Sequence, residues 1–359
     1  MTQPGSLALL DAQDLRAIRR ENRTADTVAA PLRQLQQQLT RDLTAAYLTT
    51  VGSLDQRPTE DQSLLLRAAA TALMVEFIAR AMEAVTRVIQ ALTDAALAAV
   101  DFGARLAEQW LGQPVDQLNH LDPGMAQAIA DLRQRAATDL ADAAAFAQNM
   151  PMRSHGDMLA VAGKANRATT RSDQTARWVF NRGANRGVEL VALQLGAEKL
   201  WIAERDACLT CLAYSGDTAG ATELFPAGKT YGDKSTVRWP IPGPPAHPNC
   251  RCRLQVWLGS EAEVGPVEMP EALRREAQRT VARGWSEYAS EPARVRAATR
   301  LLGQGATLLP RSVLDRARMA VAAGRFREPK LADLRPVRGR VPRVQRVPPW
   351  GRPHIQRAR

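Results

Sequence analysis

Apolar residues recur every three or four positions over most of the first 150 residues, the period of a helix with one buried face. Residues 9–50 read as a polar helix with apolar positions such as Leu15, Ile18, Leu32, Leu35 and Leu39. Residues 53–58 read as a loop. Thr59, with Gln62 three positions on, forms a capping box in which each side chain serves the other residue's backbone N–H. A longer stripe follows: Leu66, Ala70, Leu73, Phe77, Ala81, Ala84, Val88 and Leu92 share one face, as core positions do. Pro114 and Pro123, between Gly112 and Gly124, interrupt the pattern. A further helix over about 126–148 ends before Pro151.

The next stretch is basic, with Lys164, Arg167, Arg171, Arg177, Arg182 and Arg186 among Asn and Thr. Residues 169–195 continue helical, and Gly183 is the expected weak point. Residues 199–203, Lys-Leu-Trp-Ile-Ala, suit a pleated strand, and 253–258 are a second strand candidate. Between them lies a loop-rich segment with Pro240, Pro242, Pro244 and Pro245. Two or three short basic helices follow, one starting at Ser290 with Pro292 in its first turn. From Pro336 onward Pro and Arg dominate and no apolar period survives, so this tail reads as disordered until bound. No internal repeat stands out. The expected fold class is mainly α with a small α+β domain: an α-helical domain over 1–150, a middle domain with a short sheet over 151–260, short basic helices over 261–335 and a disordered tail over 336–359.

Composition agrees. The chain is 45% hydrophobic, which suffices for a core, while aromatics at 5% and abundant Ala and Leu favour helices over a β-sandwich. The most apolar stretch, 64–100, is interrupted by Arg67, Glu76, Arg80, Glu83, Arg87 and Asp94, so no membrane span is expected. The amino terminus has a short apolar run and meets Asp11 and Asp14 early, so no signal peptide is expected there. The chain is expected to be made and used in a cytoplasm, where disulfides are rare and clustered cysteines read as metal ligands or redox groups.

Charge divides the chain. Residues 1–150 carry 13 Arg, no Lys and 18 acidic residues, a net −5 within a total of +11. Eight arginines follow Asp333: Arg335, Arg338, Arg340, Arg343, Arg346, Arg352, Arg357 and Arg359. Guanidinium groups bind phosphates bidentately, so the last seven are candidate contacts to double-stranded DNA, salt-sensitive and without sequence preference. An acidic protein surface is the competing partner. Trp350 alone among Phe, Tyr and Trp lies in this segment, which argues against a base-stacking channel.

The four cysteines fall within 45 residues: Cys208-Leu209-Thr210-Cys211, then 38 residues, then Cys250-Arg251-Cys252, preceded by His247-Pro248-Asn249. Zinc takes four thiolate or imidazole ligands in a tetrahedron, and a Cys-x-x-Cys turn aims two sulfurs at one point. Each half adjoins a strand candidate. If those strands pair, the halves meet at one end, and a structural zinc would tie the proline-rich loop to the sheet. Two ligand sets compete: Cys208, Cys211, Cys250 and Cys252, or a set in which His247 replaces one sulfur of the Cys-x-Cys pair should that sulfur face away. Four reduced, packed thiols, or one reactive thiol, are the metal-free alternatives.

The order Trp201-Ile202-Ala203, Asp206, Cys208, Cys211 and Gly216, then Pro244-Pro245, His247-Pro248, Cys250-Arg251-Cys252, resembles the signature of the Mu F-like minor head proteins of tailed phages. The resemblance covers roughly residues 155–258. It implies a head-morphogenesis role: a virion protein inside the capsid near the portal, present in the host cytoplasm during assembly. Its partners would be the portal protein, the major capsid or scaffold protein, and packaged DNA. No catalytic residue, membrane or small-molecule substrate is implied. Similar cysteine-patterned phage proteins are described as capsid maturation proteases, so a protease acting on capsid or scaffold is the competing function. A free DNA-binding zinc protein of a host is a third.

Other chemistry is weaker. Gly228-Lys229-Thr230 resembles the end of a phosphate-binding loop, but Glu223 occupies the position that needs glycine. No Gly-x-Ser-x-Gly elbow occurs. The histidines are His120, His155, His247 and His354. His247 could pair with a nucleophilic cysteine, although three further thiols suit a metal better. Asp206 is expected to cap the Cys208 turn.

Overall fold

The computed structural model describes residues 7–112, 114, 121–204, 206–259, 263–264, 267–286, 289–304 and 309–326. Among these are eight helices: α1 (Leu7–Val51), α2 (Glu60–Leu111), α3 (Pro123–Asn149), α4 (His155–Leu195), α5 (Leu209–Tyr214), α6 (Met269–Arg283), α7 (Glu291–Gly303) and α8 (Arg311–Ala322). The strands are β1 (Glu198–Ile202), β2 (Thr218–Gly220), β3 (Arg253–Trp257), β4 (Glu263–Val264) and β5 (Val267–Glu268). The chain is mainly α with a small antiparallel sheet, as its pattern implies. The tail at 336–359 lies outside the described residues.

The capping box before α2 forms: the Thr59 N–H donates to Gln62 Oε1 at 2.9 Å, and the Gln62 N–H to Thr59 Oγ1 at 3.3 Å. One stripe position needs correction. Leu73 is half-buried, and Met74 takes the core position. The buried set Leu66, Ala70, Met74, Phe77, Ala81, Val85, Val88, Leu92, Ala96 and Ala99 repeats every 11 residues. That repeat is 3.67 residues per turn, close enough to the helical 3.6 for the stripe to hold one face along α2. Gly183 is also corrected: α4 runs through it unbroken. A Cβ there would stand 2.8 Å from the Ala99 Cβ and 3.0 Å from the Ala96 oxygen. The glycine lets α4 approach α2 closely, and its low helix propensity is the cost.

Two compact units interleave along the chain. One comprises Arg20–Asp101 and Asn119–Gly183 and is helical. Its α4 runs antiparallel to α1. Arg177 donates to Glu21 and Asn22, Gln36 donates to the Ala162 carbonyl at 2.6 Å, and Thr44 meets His155 at 3.2 Å. Arg171 holds Asp139 of α3 through two bonds of 2.6 and 3.0 Å. Asp122 caps α3, where Pro123 occupies the first turn. Its Oδ1 accepts from the N–H groups of Gly124 and Met125, while Oδ2 accepts from Arg182 at 2.6 Å.

The other unit comprises Met1–Arg19, Phe102–Leu118 and Ala184–Arg359. Its three-stranded sheet has the order β2-β1-β3, all antiparallel. Trp201, Leu254 and Val256 belong to an apolar cluster with Tyr214 and Phe225, whereas Leu200, Ile202 and Trp257 pack with Trp110, Met269 and Leu273. Both faces are thus covered, which is why β3 is buried throughout and β1 in all but Glu198. Helices α6, α7 and α8 pack against one another. The helix expected to start at Ser290 does so, with Pro292 in its first turn.

Burial raises the carboxyl pKa of Asp122, but the bond and charge of Arg182 outweigh it and hold the group below its ordinary 3.8. A depressed folded-state value gives stabilisation that is complete above the ordinary value and lost as pH falls through the folded one. Asp122→Ala should therefore cost about 1–2 kcal/mol near neutral pH. Urea unfolding at a series of pH values should show that deficit shrinking below pH 3.8. A deficit independent of pH would mean that ionisation of Asp122 contributes nothing.

Candidate metal centre

The register of β1 and β3 pairs Ile202 with Arg253, so the chain leaving β1 and the chain entering β3 lie at the same end of the sheet. The first leads to Cys208, which is the N-cap of α5: its sulfur accepts from the Cys211 N–H at 3.4 Å. The second arrives through His247 and Cys250 and ends at Cys252, next to the first residue of β3. Residues far apart in the chain therefore meet because two five-residue strands pair.

His247 Nε2 lies 3.3 Å from the Cys208 sulfur and 3.6 Å from that of Cys211, and the Cys211 and Cys250 sulfurs are 3.6 Å apart. Donor atoms of Cys208, Cys211 and His247 lie within 4.8 Å of one another, as do those of Cys211, Cys250 and Cys252. The two triads share Cys211, so all five expected ligands converge. Neither sulfur of the Cys-x-Cys pair turns away: both lie within 4.8 Å of the Cys211 sulfur. The cluster could hold a metal ion.

Its electrostatics point the same way. The Cys208 thiol is lowered to about 5, first by its hydrogen bond with Cys211 and then, against desolvation, by His247. Cys211 is pushed up by hydrogen bonds with Cys208, Cys250 and Cys252 and by burial. Burial opposes ionisation of Cys250, yet donation from Cys211 and Cys252 and the nearby His247 bring it well down. Cys252 is helped by Cys211, but Cys250 and burial drive it up. Burial disfavours the charged His247 ring, and the Cys208 and Cys250 thiolates more than offset this, raising its value. A cluster of this kind shares protons between sulfurs, and a divalent cation would take the place of those protons.

Polar side chains fix both arms. Asp206 accepts from Arg251 at 2.8 Å, a bond that joins the first arm to the second. The expected cap of the Cys208 turn comes instead from the Cys208 sulfur itself. Ser286 donates to the Ala207 carbonyl at 2.8 Å, and Asn185 bonds the backbone at Cys252 and Leu254. Lys199, buried on β1, donates to the carbonyls of Glu223 and Pro242 and so anchors the long loop. Trp201 stacks on Tyr214 at 4.8 Å and meets Phe225 edge-on at 5.2 Å. Gly216 has φ +82°, and a Cβ on it would lie 2.1 Å from the Pro270 carbonyl oxygen, so the position admits glycine alone. Sequence reading missed Asn185, Lys199 and Ser286. For Asn185 a signal existed: the triplet Asn-Arg-Gly at 181–183 recurs at 185–187, one helical turn on.

The remaining sequence candidates among the described residues have other partners. His155 bonds Thr44 and packs on Tyr47, and Lys229 pairs with Asp217 at 2.6 Å. His120, His354 and the tail residues Arg335, Arg338, Arg340, Arg343, Arg346, Arg352, Arg357 and Arg359 lie outside the described residues. No protein-family model, curated protein or solved structure matches the chain.

Arg251 is nearly buried and Asp206 partly so, hence their pair is shielded from water more than a surface ion pair. A double-mutant cycle with Asp206→Asn and Arg251→Gln should give a coupling of about 1–3 kcal/mol in unfolding free energy. Additive effects would show that the pair does not join the arms.

Proposed function

We propose that this chain is a Mu F-like minor head protein of a tailed phage or prophage, with one structural zinc stapling its two cysteine arms. The observation that carries the reading is the convergence of both halves of the Trp201-to-Cys252 signature on one point at the end of the β1–β3 pair. Zinc bonds of about 2.3 Å to sulfur and about 2.0–2.1 Å to nitrogen give tetrahedral edges of about 3.8 and 3.6 Å. The separations of 3.6, 3.6 and 3.3 Å among Cys208, Cys211, His247 and Cys250 are close to these edges. Soft donors of this kind suit zinc over calcium or magnesium. The role follows from the resemblance: head assembly near the portal, contact with portal and capsid or scaffold proteins, and DNA contact by the arginines after Asp333.

A maturation protease is the second reading. It is favoured by the Cys208 sulfur lying 3.3 Å from His247 Nε2, the separation of a nucleophile and its base. Against it, Cys211, Cys250 and Cys252 crowd the same cleft as Cys208 and His247, a donor set that suits a metal better than a nucleophile and its base.

Elemental mass spectrometry of the full chain purified under reducing conditions should find about one zinc per chain. Chelation should abolish cooperative unfolding of the sheet unit, and Cys208→Ser or Cys250→Ser should impair folding and head assembly. A metal-free chain would remove the zinc claim, and a folded Cys208→Ser variant that assembles heads but fails to cleave capsid or scaffold would favour the protease.

A further inference from the structure

Among the described residues, β3 is an edge strand of its sheet, since the order is β2-β1-β3. On its open side the backbone is met by a side chain of α4. Asn185, 1% exposed, accepts from the Leu254 N–H through Oδ1 at 2.7 Å and donates from Nδ2 to the Cys252 carbonyl at 3.2 Å. A neighbouring parallel strand would bond the same pair of groups, a carbonyl and the N–H two residues on. The side-chain amide thus acts as one residue of a missing strand, and it does so at Cys252. Both groups it serves are buried in the chain, where unmade hydrogen bonds are costly. The amide fixes the peptide planes on either side of Arg253, and with them the direction of the Cys252 side chain.

We propose that Asn185 is a positioning residue of the metal centre: it sets the second arm, through Cys252, in the geometry that receives the ion. This rests on the zinc reading above. The amide needs both of its ends. An aspartate in its place still accepts from Leu254 but turns a carboxylate oxygen toward the Cys252 carbonyl.

The test uses the full-length chain, freed of metal and titrated with zinc against a chromophoric chelator, and with cobalt to read the ligand field. Asn185→Asp and Asn185→Ala are compared with wild type and with Leu132→Ala, a core variant of the helical unit. Both Asn185 variants should bind zinc about 10- to 100-fold more weakly, the usual effect of losing a group that orients a ligand. Their cobalt absorption bands should shift, and their helical circular dichroism should persist. Leu132→Ala should lose thermal stability with zinc affinity unchanged. If wild type binds zinc and the Asn185 variants match it in affinity and cobalt spectrum, Asn185 is structural and the inference fails alone. It fails in the same way if their affinity falls only as far as that of Leu132→Ala. If wild type binds no zinc, the metal reading fails and takes the inference with it.

Discussion

The antiparallel pairing of β1 with β3 is the constraint on which the rest of the sheet unit depends. Five residues on each side, in a single register, bring segments some 40 positions apart to a common end. Because side chains alternate across a strand, a slip of one residue would turn Trp201 from its stack on Tyr214 and Phe225 to the opposite face. The same slip would exchange Leu200 and Ile202 for residues shaped to the other apolar layer. Two different apolar layers therefore hold the register more firmly than the few hydrogen bonds of so short a ladder could.

Convergence of the arms then poses a problem of charge. Four sulfurs and an imidazole packed together cannot all take their preferred protonation states, and the thiol pKa values split up and down accordingly. A cation is one remedy. The protein also supplies polar ties at the margins: Asp206 to Arg251 between the arms, Ser286 to the first arm, Asn185 to the second and Lys199 to the loop. Each tie joins a side chain to a segment with little regular structure of its own. That is where backbone groups would otherwise stay unpaired inside the fold.

The helical unit is held differently. Its core is an alanine-rich seam in which Gly183 and the small residues of α2 allow close approach. Directional arginine–carboxylate pairs along α4 meet Glu21 of α1, Asp139 of α3 and Asp122, the cap of α3. Close packing of small residues supplies attraction with little preference for register, and directional ion pairs supply the preference.

The helical class, the capping box at Thr59, the strands beside the cysteines and the five residues of the cluster were all legible in the order of amino acids. Each of these is written in short-range periodicity, turn chemistry or spacing, which depend on neighbours in the chain. Along α2 periodicity gave Leu73 where Met74 is buried, because two adjacent apolar residues satisfy a helical period equally well and only the packed face distinguishes them. Gly183 read as a weak point, because propensity does not know that another helix lies against it. The interleaving of the two units and the partners of Asp206, Asn185, Lys199 and Ser286 came from the folded packing and from nothing local. A buried polar residue has no periodic signature: its partner is a group tens of residues away, and that distance closes only when the chain has folded.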